Sequence, residues 1–289
     1  MVICLDAECG NYEQLWLTTS LRGTLSGTLN VEVLSEGVHS GAAGGIVPSS
    51  FRLLRQILDR VKNAVSGELH DFLQVPIPSD VRIQADRVAS TLGSTVVDRF
   101  PWSGSTQPAI TSSSQLVSPI FGGSSMAVVG LAGAPDPSNA GNTLRPSTAA
   151  KLVFRLPPSL DADEAANRVK SLFEKGPPQG ATVSFQNRKP ANGLARQKSV
   201  SKITRLARRW VSQNFLRSSH DDHGNRWDYP FMKKLGDRFP ACQFFVTGVL
   251  GPHSNAHGPN EFLDIDTGKR VTCCVAQVLA DPHRERDPF

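Results

Sequence analysis

The clearest signal along the chain is the alternation of apolar and polar positions between residues 19 and 34. There Leu29, Val31 and Val33 are interleaved with Asn30 and Glu32. A period of two puts successive side chains on opposite faces and predicts a strand with one buried face. A glycine-rich turn follows, Gly37-Val-His-Ser-Gly-Ala-Ala-Gly-Gly45, and then the pattern changes period. Behind Pro48-Ser-Ser50, Phe51, Leu54, Leu58, Val61 and Val65 recur at three- and four-residue spacings, which predicts a capped helix. Residues 70–120 are rich in Ser and Pro and carry weak periodicity. Strands are expected at 126–131 and 151–156. A helix starts at Asp161 with Glu164 as a capping-box-like pair and carries Ala165, Val169, Leu172 and Phe173 on one face. A last strand at 182–185 completes the order strand, helix, strand, strand, helix, strand. That order is the split βαβ, ferredoxin-like arrangement, in which two helices cover one face of a sheet and an exposed edge can pair with a second copy.

Apolar segments also sit at both ends of the chain. Residues 2–6 read as a short buried strand ending in Asp6, and residues 243–250 as a second strand. A helix with Val271, Cys274, Val275, Val278 and Leu279 on one face follows. The expected organisation is therefore an α/β chain in which a compact unit is inserted between pieces of another layer.

Composition narrows the function classes. At 289 residues, 39% hydrophobic and 20% charged, the chain is of ordinary globular composition, with no run near the roughly 20 apolar residues that span a bilayer. Its start has no basic segment of the signal-peptide kind; it reads as a strand that opens abruptly, so part of the domain is expected upstream. The five cysteines have no zinc-ribbon spacing and are expected to be reduced thiols in a cytoplasmic protein. The net charge of +5 is concentrated between Arg188 and Arg217, and neither nucleic acid nor membrane is expected as a partner.

The segment with most chemical content is Ser254-Asn-Ala-His-Gly-Pro-Asn-Glu261, where His257 follows a strand in a Gly/Pro loop that can present an imidazole nitrogen to a metal. His253 is close by, and Asp6 closes another strand, the position at which α/β sheets collect ligands. Plainer roles exist for each: a surface imidazole, a strand-end cap at Asp6, a turn residue at His39, a strand surface charge at Arg155.

These motifs, taken in order, resemble a known family. Leu5-Asp6, Gly10-Asn-Tyr-Glu-Gln-Leu-Trp16, Ser20-Leu-Arg-Gly23, Gly37-Val-His-Ser-Gly41, Asn142-Thr-Leu-Arg-Pro146, Phe154-Arg-Leu-Pro-Pro158 and Asn255-Ala-His-Gly-Pro-Asn-Glu261 are similar to runs in the co-catalytic zinc metallopeptidases of the carnosinase, aminoacylase and glutamate carboxypeptidase kind. The resemblance implies metal-dependent hydrolysis of the amide bond of a dipeptide or N-acyl amino acid. It also implies two Zn2+ ions per site (Mn2+ or Co2+ suit the same ligands) and a homodimer formed through the lid domain. By position, Asp6 matches a carboxylate ligand of one metal and His257 an imidazole ligand of the other. His39 matches the lid histidine that steadies the oxyanion in the partner subunit's site, and Asn142 and Arg155 match substrate contacts, Arg155 at the carboxylate.

The resemblance is partial. The family's His-x-Asp pair, bridging Asp and Glu-Glu pair have no counterpart, so only the C-terminal portion is expected, without the general base. The expected domains are 1–18, a catalytic remnant; 19–187, a dimerisation (lid) domain with an insertion at about 70–120; 188–229, an aberrant segment; and 230–289, a C-terminal catalytic remnant. Shifting the codons of His223–Tyr229 by one base allows the Gly-Gly-Thr-Ile turn that the family places there, so 188–229 reads as out of frame. Two other readings stand beside hydrolysis: a catalytically inactive dimerisation remnant, and a nucleic-acid binder resting on the Arg205-Leu-Ala-Arg-Arg-Trp210 run.

Overall fold

The computed structural model describes residues 1–109, 123–194, 221–225 and 230–284. Most of the segment 188–229, with its Arg205–Trp210 run and residues 226–229 of the frame argument, lies outside the described residues. In chain order the strands and longer helices are β1 (Val2–Cys4), β2 (Trp16–Leu21), β3 (Gly23–Glu32), β4 (Val38–His39), α1 (Ser50–Asp59) and α2 (Ser79–Leu92). They continue with β5 (Ser125–Ala132), β6 (Thr143–Leu144), β7 (Ser147–Leu156), α3 (Ala162–Glu174) and β8 (Thr182–Asn187). Last come β9 (Asp221–Asn225), α4 (Pro230–Arg238), β10 (Phe244–Val246) and α5 (Ile265–Arg284). The chain divides into two compact units, one of residues 1–22, 77–122 and 194–289, the other of residues 23–76 and 123–193.

The second unit is built on an antiparallel four-stranded sheet in the order β5-β7-β3-β8. Strand β7 alternates strictly between half-buried and buried positions, which sends Ala150, Leu152, Phe154 and Leu156 to one face. Leu29 of β3 lies opposite Ala150 on one side and Phe185 of β8 on the other, so three strands contribute to one apolar layer. Helices α1 and α3 cover that layer with Leu53, Leu54 and Ile57 and with Ala165, Val169 and Phe173; Phe173 meets Phe185 edge-on at 5.2 Å. Both helix starts are capped as their sequences require: Ser49 accepts from the Arg52 N–H, and Asp161 from the Glu164 N–H at 2.8 Å.

Two expectations change. The strand expected within 19–34 is two, β2 and β3. The helix behind Pro48 stops at Asp59 rather than running to Val65. A tight turn replaces its last part: Asn63 Oδ1 accepts from the Val65 and Ser66 N–H groups, and the chain returns so that the His70 N–H donates to Val61. Val61 keeps its place in the core, whereas Val65 is 97% exposed. Helical spacing alone does not separate an apolar residue of the last turn from one just past it.

In the first unit β1 and β10 form a parallel pair, with Val2, Ile3 and Cys4 opposite Phe244, Phe245 and Val246. Leu15, Leu17 and Phe245 pack against Val271, Cys274 and Val278 of α5, which is longer than its apolar stripe foretold. Ala7, Leu21, Met232, Phe244 and Val246 make a second cluster. Strand β9 runs parallel to β2. The poorly patterned segment after residue 76 supplies α2, whose Ala85 and Val88 close over Cys9 and Trp16.

Replacing Phe154 by alanine is expected to lower unfolding free energy by about 3–5 kcal/mol, since a large ring leaves a fully packed layer. Val65→Ala is expected to stay within about 0.5 kcal/mol of the parent. Denaturant unfolding of both variants checks the pair.

Candidate functional site

Parallel strands expose their ligand-gathering groups at their carboxyl ends. Beyond β1 and β10 the two chains stay in contact: the Thr247 N–H donates to Cys4 O at 2.9 Å, and the Cys9 N–H to Leu250 O at 3.0 Å. Gly248 makes this approach possible, because a Cβ there would lie 1.8 Å from the Ala7 carbonyl oxygen. Asp6 is carried on one of these exits, exposed, and the loop 251–262 with His257 on the other. Asp6 and the loop that carries His257 thus both leave from the carboxyl end of the β1–β10 pair.

The loop is held by its own polar groups. Buried Ser254 donates from Oγ to Gly251 O at 2.8 Å, Asn255 Nδ2 to Pro259 O at 2.6 Å, and the His257 N–H to Glu261 Oε2 at 3.1 Å. The Tyr12 hydroxyl reaches Pro252 O at 3.2 Å. Four non-glycine residues of the loop, His253, Asn255, His257 and Asn260, have φ between 55° and 65°. Such backbone costs energy for residues with a Cβ and persists where surrounding contacts enforce it, as at ligand sites.

A metal ion needs more donors than this end supplies. Among the described residues no group of three or more His, Cys, Asp and Glu side chains is arranged to hold one. Asp6 and His257, matched to different metals, do not by themselves fit a zinc ion of about four ligands.

In the second unit, His39 and Asn142 come together across the short β4–β6 ladder: His39 stands opposite Thr143, and the Ser40 N–H donates to Asn142 O at 2.9 Å. Both residues are exposed. Arg155 is half-buried on β7, between Thr24 of β3 and Ser125 of β5.

Sequence reading passed over two residues. Glu8 follows Asp6 by two positions, and Arg99 comes from the segment without readable periodicity; their ion pair, Arg99 Nη2 to Glu8 Oε2 at 3.3 Å, is half-buried. The neighbouring thiol of Cys9 is pushed up to about 12, by burial first and then by the negative charge of Glu8. It stays protonated at neutral pH, which excludes it as a nucleophile. Burial likewise pushes Cys274 up to about 11, with Cys273 adding to it.

The chain is similar to known proteins. Residues 19–181 match the peptidase dimerisation domain of the M20 peptidases. Over 277 residues the chain is 24% identical to the cysteinylglycine-S-conjugate dipeptidase of Corynebacterium striatum, covering 91% of this chain and 56% of that enzyme. Its fold is similar to that of the Saccharomyces cerevisiae di-peptidase Dug1p, with a TM-score of 0.80 at 16% identity over 97% of this chain and 59% of that one. Human carnosine dipeptidase 1 gives 0.71 at 14% identity, over 96% and 59%. The chain thus spans a little over half the length of each of these proteins.

On alkylation with iodoacetamide at about pH 8, exposed Cys273 is expected to react, while buried Cys9, its thiol pushed up and covered, stays unmodified until the protein unfolds. Fragment-ion mass spectrometry of the labelled peptides checks this order.

Proposed function

The chain belongs to the M20 peptidase family, and from that premise we propose that it works in dipeptidase-type amide hydrolysis, as the part that brings the dimerisation domain and the substrate-facing residues. The match over residues 19–181 carries this reading. The order β-α-β-β-α-β, with strand order β5-β7-β3-β8, supports a ferredoxin-like lid in the second unit. In this reading His39 serves the oxyanion in the partner subunit's site, and Asn142 and Arg155 hold the substrate, Arg155 at its carboxylate through the guanidinium fork. In this reading Asp6 and His257 are ligands, one for each of two zinc ions. Dipeptides or N-acyl amino acids are the substrate class, and the cytoplasm is the compartment. Among the described residues no helix is long and apolar enough to cross a membrane.

The shortage of donors around Asp6 and His257 favours a second reading, in which this chain is a dimerisation module without hydrolase activity of its own. Zinc content of the purified chain after dialysis against trace zinc separates the two. Near-stoichiometric zinc that is lost in Asp6→Ala and His257→Ala, together with dipeptide hydrolysis that falls at least about a hundredfold in both variants, is the outcome expected for the enzyme. A folded chain with neither metal nor hydrolysis overturns it in favour of the module.

Assembly as a homodimer has a candidate surface. Strand β5 ends the sheet, and its Val129 and Leu131 are 60% and 55% exposed. An open strand edge with apolar side chains pairs readily with a symmetric copy. Changing both residues to lysine is expected to convert the dimer to a monomer in light scattering, whereas Val65→Lys, elsewhere on the same unit, leaves it dimeric.

A further inference from the structure

The Arg99–Glu8 pair lies in the wall of a cavity of about 580 Å³, within the range of roughly 300–1,000 Å³ that small-molecule sites occupy. Asp98 and Phe100 share that wall, and the loop from Leu250 to Asn260 forms the other side, all within the first unit. The guanidinium sits 5.6 Å from the Phe100 ring centroid, which steadies its plane. Among the described residues it makes a single hydrogen bond, Nη2 to Glu8 Oε2 at 3.3 Å, a long contact for a charge-assisted bond. The remaining N–H groups of a five-donor fork, and the second Glu8 oxygen, make no hydrogen bond to described residues. The pair is thus weakly made, on two side chains that are 25% and 13% exposed, in a cavity wall.

A ligand with one charge would gain one of these groups and strand the other, half-buried and unpartnered, which is costly. A zwitterion replaces both partners at once. In an α-amino acid the ammonium nitrogen and the carboxylate carbon are both bonded to the α-carbon, two bonds of about 1.5 Å, which matches two charged side chains already in contact. The termini of a dipeptide lie up to about 7 Å apart when extended, too far to meet both. We infer that this cavity binds a free α-amino acid, its carboxylate taken bidentately by Arg99 and its ammonium by Glu8. The inference goes beyond amide hydrolysis and stands on the cavity and the ion pair alone, so binding tests it without any turnover or metal.

Isothermal titration calorimetry of the full chain at neutral pH uses L-alanine, L-alaninamide, N-acetyl-L-alanine and L-alanyl-L-alanine. L-alanine is expected to bind at least about tenfold more tightly than each of the other three, which lose a charge or its spacing. Arg99→Ala removes L-alanine binding. In Glu8→Gln, L-alanine weakens while N-acetyl-L-alanine binds more tightly, because Arg99 is released; a purely structural pair would weaken every ligand together. Four equal affinities, no binding of L-alanine to the parent chain, or an unchanged L-alanine affinity in Arg99→Ala overturns the assignment. The ligand series on the parent chain decides the question even if a variant fails to fold.

Discussion

The second unit depends on one strand being paired on both sides. Strand β3 lies between β7 and β8, and its Leu25, Leu29 and Val31 are fully buried at alternate positions. A slip of one residue would turn that row to the opposite face and replace it with Thr24, Ser26, Thr28 and Asn30. The ten-residue ladder with β7 fixes this register, and both helices pack on the layer that results. Because β7 shares the register, Arg155 is placed on the face opposite Phe154 and Leu156, away from the apolar layer. The position proposed for substrate contact is therefore a consequence of core packing.

The first unit works under a different constraint. A pair of three-residue parallel strands is a small scaffold, and parallel pairing is normally stable only when both faces are covered. Here cover comes from distant parts of the chain: α5 with Val271 and Val278 on one cluster, Met232 of α4 on another. The close approach at Gly248 and the bond from Cys9 to Leu250 extend the contact past the strands themselves. The exits that carry Asp6, Glu8 and the His257 loop are held side by side by backbone bonds. Strain in the loop, with four side-chain-bearing residues at positive φ, is stored against that support.

The two acids on the first exit stand in different surroundings. Asp6 is exposed, whereas Glu8 is mostly covered, paired with Arg99 and close enough to Cys9 to raise its thiol. The same carboxylate thus adds to the burial that keeps Cys9 neutral and forms one half of a charged pair in a cavity wall. Cys9 is a packing residue beside Trp16, and the polar chemistry of this end belongs to its carboxylates, imidazoles and the guanidinium.

How much of this was legible in the residues varies with the range of the interaction. The alternation in β3 and β7, the caps at Ser49 and Asp161, and the apolar face of α3 follow from local sterics and periodicity, so the strand and helix order of the second unit could be read directly. The ordered motifs around Asp6, His39, Asn142, Arg155 and His257 were legible enough to name the family. The end of α1 was not, because Val65 keeps helical spacing while the Asn63 turn removes it from the helix. Nor was the pairing of β1 with β10, some 240 residues apart, or that of Glu8 with Arg99, 91 apart. By itself the sequence determined the main strands and helices of the second unit and which family's motifs the chain carries, since those signals lie within a few residues of one another. Only the tertiary structure decided which strand exits run side by side and which charges meet in the cavity, because chain contacts over such separations leave no local pattern to read.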